Sequence, residues 1–408
     1  MEKIAFGERF VVAINESKQV VFWSTNIYGG VHIVEGITNA IGVYVYARHI
    51  LVMLDDKSVV KLDWMENFDN NHFVVFNPKS YLTRIKNVVQ SQYYDTLFFD
   101  IKEYEYAFAQ GYFYYVNEEG QVFVQNCHYN EFKLIRQLNN IRELIFEKKF
   151  LIGIKKDGSI VAFGNNNYGQ CTIPENLTNV KSIHITKDYT VIALTFDGRV
   201  VVWGNNPYEL CNVPIGLDNV IRIEIGRNFI VALKVSGEVV AWGDNKYGQC
   251  NVPNGLTDVE SIQCNYSVTI AIKRDYTIVI WGDNAYGFCD IAKGMCGVKS
   301  VYFTWGFLSN IIVVGWDGKV HFCGILPYEK DKSGLNLDYL EDISHIYMDH
   351  GKILAVKYDG SVVFGGNSLH GEKRSRDEYG DNYNFHRNIP EGLRLLEDIG
   401  IGNGYLLK

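Results

Sequence analysis

The segment Asp197-Gly198-Arg199-Val200-Val201-Val202-Trp203-Gly204 decides the fold, because close copies of it recur along the chain. It returns as Ser236-Gly237-Glu238-Val239-Val240-Ala241-Trp242-Gly243 and as Asp157-Gly158-Ser159-Ile160-Val161-Ala162-Phe163-Gly164. Each copy joins a turn dipeptide to a short apolar run that ends in an anchor, an aromatic residue followed by glycine. The final positions of the copies, spaced by 38 to 42 residues, are 126, 164, 204, 243, 282, 324 and 366. A period of this length predicts tandem structural repeats.

Each repeat has the features of a small antiparallel sheet. Asp-Gly between two β-rich runs favours a hairpin turn with positive φ. Two further apolar runs precede the turn, such as 180–185 and 189–194 in one repeat. A sheet of three or four short strands cannot bury both of its faces alone, so the copies must stack. Because radial stacking also protects strand edges, the sequence predicts an all-β fold, a β-propeller of repeats of about 40 residues.

A longer motif around the anchor resembles a known repeat family. The pattern Trp-Gly-x-Asn-x-Tyr-x-x-Cys-x-Val-Pro-x-x-Leu is complete at 242–256 and recurs in the region 150–290. These residues resemble the repeats of the regulator of chromosome condensation family. The short period is most similar to its compact bacterial and viral members, which include a propeller-type β-lactamase inhibitory protein. The resemblance implies a propeller fold more firmly than any activity.

The repeat count leads to two predictions for the domain organisation. The first is a seven-bladed propeller over 118–408, preceded by divergent N-terminal β repeats in 1–117. In that arrangement the strand at 121–125 completes a sheet that begins near residue 396, as ring closure in the family implies. The alternative is one propeller of nine or ten blades over 1–408, because no linker separates the two regions.

Charge and hydropathy exclude several classes of partner. The net charge of −8 argues against a broad basic surface, so a nucleic-acid partner is not expected. No apolar run reaches the roughly 18 residues of a transmembrane helix, and the N-terminal residues do not resemble a signal peptide. We therefore expect no membrane partner, and a location in the cytoplasm or in a virion.

Two residue types that recur at fixed repeat positions are interpreted as structural. Four cysteines each follow an anchor by seven residues: Cys171, Cys211, Cys250 and Cys289. Equivalent positions on different blades lie too far apart to share a zinc ion or a disulfide, so we expect small apolar core residues. Tryptophan forms part of the anchor in three repeats, where we expect a packing role: Trp203, Trp242 and Trp281.

No pattern in the sequence predicts catalysis or a bound cofactor. The 10 histidines are scattered, and we find no HExxH motif, nucleophile elbow or P-loop. The turn aspartates are turn formers, and no spacing supplies the converging oxygen ligands that calcium needs. We therefore expect no catalytic residue, no cofactor, no metal ion and no small-molecule partner.

Segments that break the repeat are the predicted contact sites for a protein partner, because insertions form surface loops that can carry function. These segments are roughly 64–83, the insertion 326–332 and the charged insertion 368–387; separately, an aromatic cluster at 303–307 replaces an ordinary turn. Exposed aromatic and arginine side chains are typical binding hot spots. The partner-binding candidates are Trp305, Phe307, Tyr328, Lys373, Arg374 and Arg376.

The function that the sequence favours is a non-catalytic, protein-binding β-propeller that acts as a scaffold or as a subunit of a larger assembly. Propeller ends present many loops on a rigid frame, which lowers the entropic cost of binding. Abundant Asn, Ile, Lys and Tyr are typical of an AT-rich genome and favour a viral or phage structural component. The family resemblance implies two alternatives, a regulator of exchange-factor type for a small GTPase and an enzyme inhibitor.

Overall fold

The fold consists of β-strands in every part of the chain that the structure, a computed structural model, describes. Those parts are residues 4–6, 10–24, 31–34, 36–46, 49–65, 72–76, 85–90, 112–126, 132–147, 150–285, 295–303, 311–323, 340–349, 352–359 and 361–366. Within them the strands form nine sheets of three or four antiparallel strands. These ranges contain no helix long and apolar enough to cross a membrane.

The strands follow one another along the chain in the order of their sheets. The first three sheets have four strands each: β1 (Ile4–Phe6), β2 (Phe10–Ile14), β3 (Val20–Ser24) and β4 (Val31–Ile33); β5 (Ala40–Tyr46), β6 (His49–Leu54), β7 (Val59–Met65) and β8 (His72–Phe76); β9 (Ile85–Gln90), β10 (Tyr112–Asn117), β11 (Val122–Asn126) and β12 (Phe132–Ile135).

The next six sheets have three strands each: β13 (Ile141–Glu147), β14 (Phe150–Lys155) and β15 (Ile160–Gly164); β16 (Val180–Ile185), β17 (Thr190–Thr195) and β18 (Val200–Gly204); β19 (Val220–Ile225), β20 (Phe229–Lys234) and β21 (Val239–Gly243); β22 (Val259–Asn265), β23 (Val268–Lys273) and β24 (Ile278–Gly282); β25 (Val298–Phe303), β26 (Ile311–Gly315) and β27 (Val320–Cys323); β28 (Ile343–Asp349), β29 (Lys352–Lys357) and β30 (Val362–Gly366).

The middle strand of the three-stranded sheets is buried along most of its length. Every residue of β17 is buried, and β20 and β23 expose only their last residue in part. A strand that is covered on both faces reads as a continuous apolar run instead of an alternating one. This burial explains why Phe229-Ile230-Val231-Ala232-Leu233 contains no polar residue.

The hairpin turns have the geometry that the Asp-Gly pairs predict. Gly158 has a φ of +80°, and Asp157 Oδ1 accepts the backbone N–H of Ser159 at 2.9 Å. The carbonyl of Gly158 accepts a hydrogen bond from the N–H of Val180, the first residue of the next sheet, at 2.9 Å. We call this contact the turn-to-strand bond. It joins residues 18 and 40, 120 and 141, 158 and 180, 198 and 220, 237 and 259, 276 and 298, and 318 and 343.

The chain divides into two compact units, and the first comprises residues 1–81, 275–277 and 286–408. Its neighbouring sheets share apolar cores. One face of the N-terminal sheet packs with β5, β6 and β7 through side chains such as Val12 and Ile50. The other face packs with β29 and β30 through Val11 and Leu354. The sheets β25–β27 and β28–β30 share a further core.

The second unit comprises residues 82–274 and 278–285 and repeats the same packing. Successive cores join the sheets β9–β12, β13–β15, β16–β18, β19–β21 and β22–β24. In β17, Val191 and Ala193 belong to the core shared with the preceding sheet, and Ile192 and Leu194 belong to the core shared with the following sheet. Each of the three inner sheets of this series is therefore stabilised by both of its neighbours.

Small antiparallel sheets that pack through shared cores are the blades of a β-propeller, and the predicted all-β propeller class is confirmed. The blade count and the division between 117 and 118 stay predictions. That division coincides with the turn of the hairpin β10–β11. The predicted pairing of 121–125 with a C-terminal strand is wrong, because β11 lies between β10 and β12 and both of its edges are occupied.

Candidate protein-binding surfaces

The six contact residues predicted from the sequence lie outside the described residues: Trp305, Phe307, Tyr328, Lys373, Arg374 and Arg376. They stay predictions. The described residues instead present two groups of exposed aromatic side chains, one in each unit.

The first group belongs to three equivalent loops of the second unit, at 165–171, 205–211 and 244–250. An asparagine side chain closes each loop by accepting the backbone N–H of the cysteine five residues later. These N···O distances are 2.7, 2.8 and 2.9 Å for Cys171, Cys211 and Cys250. In two loops a buried glutamine adds a second bond, as Gln170 Oε1 accepts the N–H of Tyr168 at 2.9 Å. The loop backbone is therefore fixed by its own side chains.

A tryptophan from the following anchor donates a hydrogen bond to the backbone of each loop. Trp203 Nε1 donates to the carbonyl of Gln170 at 3.1 Å, and Trp242 Nε1 donates to that of Leu210 at 2.9 Å. Trp281 makes the equivalent bond to Gln249 at 3.0 Å. All three indole rings are buried in the cores between sheets. The predicted packing role of these tryptophans is confirmed, and each also ties a loop to the next sheet.

Cys171 and Cys250 are half-buried and pack against the cores, as predicted for small apolar residues; Cys211 is half-buried, and Cys289 lies outside the described residues. The thiols of Cys171 and Cys250 also donate to backbone carbonyls, of Asn165 and Asp244, at 3.3 Å. Burial raises the pKa of the Cys171 thiol to about 11. Burial, helped by the charge of Asp244, raises the pKa of the Cys250 thiol to about 11.

We expect slow alkylation of Cys171 and Cys250 by iodoacetamide at pH 8. A pKa near 11 leaves about one thiol in a thousand as the reactive thiolate. Cys296, which is exposed, is expected to react faster than Cys171 and Cys250. Peptide mass spectrometry over time measures each site, and the same experiment in urea is the control, because unfolding removes the difference. Equal rates for Cys250 and Cys296 in the folded protein would contradict the assignment.

The loops present three tyrosines to solvent at equivalent positions. The side chains of Tyr168, Tyr208 and Tyr247 are 52%, 41% and 47% exposed. The ring of Tyr168 stacks on that of Tyr189, with centroids 5.5 Å apart and an interplanar angle of 13°. We call Tyr168, Tyr208 and Tyr247 the tyrosine row. The repeat motif in the sequence contains this tyrosine, but the tyrosine was not predicted as a contact residue. An aromatic residue that recurs among turn-forming residues is a signal of exposure that could have found it.

The second group of exposed aromatic residues lies at hairpin turns of the first unit. Tyr276, Trp316 and Tyr358 are 45%, 55% and 46% exposed. The rings of Tyr276 and Trp316 meet edge to face, with centroids 5.6 Å apart. The ammonium of Lys299 lies 5.5 Å from the Trp316 ring centroid and 4.5 Å from that of Tyr358. We call these four residues the turn cluster.

The cation of the turn cluster comes from a β-bulge. The register of β25 shifts between Val298 and Ser300, so Lys299 is the extra residue of the bulge. Its Nζ donates to the carbonyl of Ser344 in the next sheet at 3.0 Å and to Tyr358 Oη at 3.1 Å.

The second unit repeats this device. Arg142 occupies the equivalent bulge of β13, and its Nη2 donates to the carbonyls of Val180 and Lys181 at 3.0 and 2.7 Å. Its guanidinium lies 5.5 Å from the ring centroid of Phe196. Bulged cations therefore tie one sheet to the next beside an exposed turn aromatic.

The described residues offer little acid–base or metal chemistry. Within those ranges no three His, Cys, Asp or Glu side chains converge to hold a metal ion. A partly buried ion pair joins two positions of strand β19, where Arg222 Nε lies 2.8 Å from Glu224 Oε1.

Comparison with known proteins identifies the repeat. Residues 220–249 match the family model of the Regulator of chromosome condensation (RCC1) repeat. The predicted resemblance to this repeat family is confirmed over these residues.

Several solved structures are similar to the chain. Prp20p from Saccharomyces cerevisiae is 13% identical, with a TM-score of 0.37, and the match covers 72% of this chain and 73% of that chain. The CRINKLY WD40 ectodomain of the Arabidopsis thaliana receptor kinase ACR4 is 15% identical, with a TM-score of 0.36 and coverages of 69% and 95%. The computationally designed Ika8 protein is 11% identical, with a TM-score of 0.42 and coverages of 82% and 98%. No curated protein sequence matches the chain. Identities and scores this low assign neither activity nor partner.

Proposed function

We propose that this protein is a non-catalytic, protein-binding β-propeller that acts as a scaffold or as a subunit of a larger assembly, with the tyrosine row as a binding surface. The observation that supports the proposal most is the tyrosine row itself. Three tyrosines that are 52%, 41% and 47% exposed stand on loops that side-chain hydrogen bonds hold in one conformation.

Such a surface suits protein binding for an energetic reason. Tyrosine is enriched in interface hot spots because it buries a large area while ordering few rotatable bonds. A loop that is already fixed adds little entropic cost on binding. In each loop, the asparagine hydrogen bond and the hydrogen bond from the tryptophan indole fix the backbone before a partner binds. Little of the binding free energy that the tyrosine rings contribute is therefore lost in ordering the loops.

The insertions extend the proposal to further contacts. Trp305 and Phe307 are proposed as an aromatic contact, Tyr328 as a second, and the basic residues Lys373, Arg374 and Arg376 as a third. The proposed setting is a viral or phage particle, or another assembly of which the chain is a structural subunit.

Combined replacement of Tyr168, Tyr208 and Tyr247 by alanine is expected to lower the affinity for the protein partner at least tenfold. Each ring is exposed, so the change removes contact area without opening a core. The partner is first captured with tagged wild-type protein from the native source and identified by mass spectrometry. The affinity of the purified partner for wild type and variant is then measured by calorimetry.

The matched control replaces three exposed apolar residues at the opposite end of the same sheets, Phe196, Ile221 and Val235, which are 60%, 44% and 60% exposed. This control variant is expected to bind like wild type. Loss of binding in the control alone would place the interface at the hairpin turns. A captured small GTPase whose nucleotide release the protein accelerates would replace the scaffold proposal by the regulatory alternative.

A further inference from the structure

The tyrosine row presents one exposed ring on each of three equivalent loops. We infer that the tyrosine row binds a proline-rich segment of the protein partner in the polyproline II conformation. The inference rests on the proposed function, because it names the chemical class of the segment that occupies the same three tyrosines. Synthetic peptides test it apart from the native partner, so each of the two proposals can fail separately.

The three loops follow the order of the sheets. Trp203, Trp242 and Trp281, which bond the loops, lie in the third strands of consecutive sheets, β18, β21 and β24. Packed sheets lie about 10 Å apart, so neighbouring rings of the row repeat at about that distance. An aromatic surface with this repeat favours a ligand whose own contact positions recur at a similar distance.

The polyproline II conformation has such a repeat. It has three residues per turn and rises about 3.1 Å per residue, so every third residue faces the same side at intervals of about 9 Å. A β-strand returns to the same face at about 7 Å and again at about 14 Å. Both strand intervals differ more from the spacing of the sheets, so a strand would meet the successive rings out of step.

The hydroxyls of the row distinguish polyproline II from an α-helix, whose positions i and i+7 also recur at about 10 Å. None of the described residues forms a hydrogen bond with the hydroxyl of Tyr168, Tyr208 or Tyr247. The carbonyls of a helix accept bonds within the helix, whereas those of polyproline II have no internal partner. Each tyrosine hydroxyl can therefore donate to a carbonyl of the segment while its ring packs against a proline.

Contacts with neighbouring residues restrict two of the rings before a ligand binds. The ring of Tyr168 stacks on Tyr189, which covers one face and leaves the other for a ligand. The ammonium of Lys246 lies 5.2 Å from the centroid of the Tyr247 ring. A ring with a restricted orientation loses little rotational freedom when a proline packs on it.

Charge selects neither an acidic nor a basic segment at this surface. Four acidic and five basic residues lie in the segments that follow the first and third strands of the sheets from β13 to β24, namely 148–149, 165–171, 186–189, 205–211, 226–228, 244–250, 266–267 and 283–289. A nearly balanced surface suits a segment that binds through proline rings and backbone carbonyls. Proline also lowers the entropic cost of binding, because its ring fixes φ in advance.

The test measures the binding of fluorescently labelled proline peptides to the full chain by anisotropy. Dodecaproline forms a polyproline II helix of about 37 Å, which is longer than the row, whereas triproline spans only about 9 Å. A flexible glycine–serine dodecapeptide is the control ligand. We expect saturable binding of dodecaproline and at least tenfold weaker binding of the other two peptides. Absence of saturable dodecaproline binding, or equal affinity for triproline, would overturn the inference.

Substitutions locate the site on the protein. Tyr208→Ala removes the central ring and is expected to lower the affinity for dodecaproline about tenfold. Tyr208→Phe keeps the ring but removes the hydroxyl, and is expected to lower the affinity about threefold. The matched control is Phe196→Ala, because Phe196 is 60% exposed at the opposite end of the same sheets. It is expected to bind within twofold of wild type, with thermal unfolding confirming that each variant is folded.

Equal losses for Phe196→Ala and Tyr208→Ala, or no loss for Tyr208→Ala, would also overturn the inference. The native partner separates this outcome from failure of the proposed function. If that partner requires the tyrosine row but dodecaproline does not bind, the inference fails and the proposed function stands. If dodecaproline binds to the row but the native partner binds equally well without the row, the proposed function fails and the binding chemistry of the row stands.

Discussion

Replacing Trp242 by alanine is expected to lower the free energy of unfolding of the second unit by about 3–5 kcal/mol. The indole is 8% exposed and lies in a core with Ile192, Leu210 and Ile230, so its removal opens a cavity between two sheets. The change also removes the Nε1–H that donates to the carbonyl of Leu210 at 2.9 Å. Loop 205–211, which carries Tyr208, is then released from the sheet that holds it.

Chemical denaturation followed by tryptophan fluorescence measures the global effect, and hydrogen exchange of loop 205–211 measures the local one. Trp242→Phe is the matched variant, because it keeps most of the apolar volume and removes the hydrogen bond, at a cost of about 1–2 kcal/mol for the bond. Equal losses for the two variants would show that the hydrogen bond, and not the packing, dominates. Unchanged hydrogen exchange of loop 205–211 in Trp242→Ala would show that Trp242 does not hold the loop.

Replacing Gly198 by alanine is expected to cost about 2–4 kcal/mol, although it adds only one methyl group. Gly198 has a φ of +81°, which an L side chain adopts with strain. Its added Cβ would also stand 2.8 Å from Asn219 Cα and 2.9 Å from Val220 N. These are backbone atoms at the start of the next sheet, so relief requires the turn-to-strand bond from Val220 to lengthen.

Gly216→Ala is the matched control for that variant. Gly216 has nearly the same φ, +79°, but an added Cβ would meet nothing within 4 Å. It is expected to cost about 1 kcal/mol, the conformational penalty alone. The difference between the urea unfolding midpoints of Gly198→Ala and Gly216→Ala measures the cost of the contact between the added Cβ and the next sheet. Two variants with equal midpoints would show that φ strain accounts for the whole loss at Gly198.

The repeat, its strands and its turns could be predicted because they depend on local chemistry that recurs. Asp157-Gly158 specifies a turn wherever it lies between β-rich runs, and Trp203 repeats at a position that must face a core. The strands that pair with β11 could not be predicted, because strand pairing depends on which segments meet in space. Counting anchors placed this strand beside the C-terminus, whereas the structure places β10 and β12 on its two edges.

The candidate surfaces were less accessible to sequence reasoning, and for a different reason. Exposure depends on the register of each strand and on the bulge that precedes it. Lys299 reads as an ordinary polar residue at a strand start, and only the bulge directs its ammonium to the rings of the next turn. Departures from the repeat pattern led to the prediction of contacts at Trp305 and Phe307, whereas the aromatic residues of Trp316-Asp317 and Tyr358-Asp359 lie in regular turns.

The turn-to-strand bond has a consequence for how such a chain can change over evolutionary time. It uses only main-chain atoms, so no substitution removes it except proline at the donor residue. The carbonyls of Lys18 and Tyr276 accept this bond where other repeats have glycine, which shows that a repeat can keep the bond with a side chain at the accepting residue, at φ values of +58° and +62°. The residue before the turn is consequently free to diversify, as Phe196, Trp316 and Tyr358 illustrate. New recognition chemistry can arise there by single substitutions while the connection between repeats is inherited unchanged.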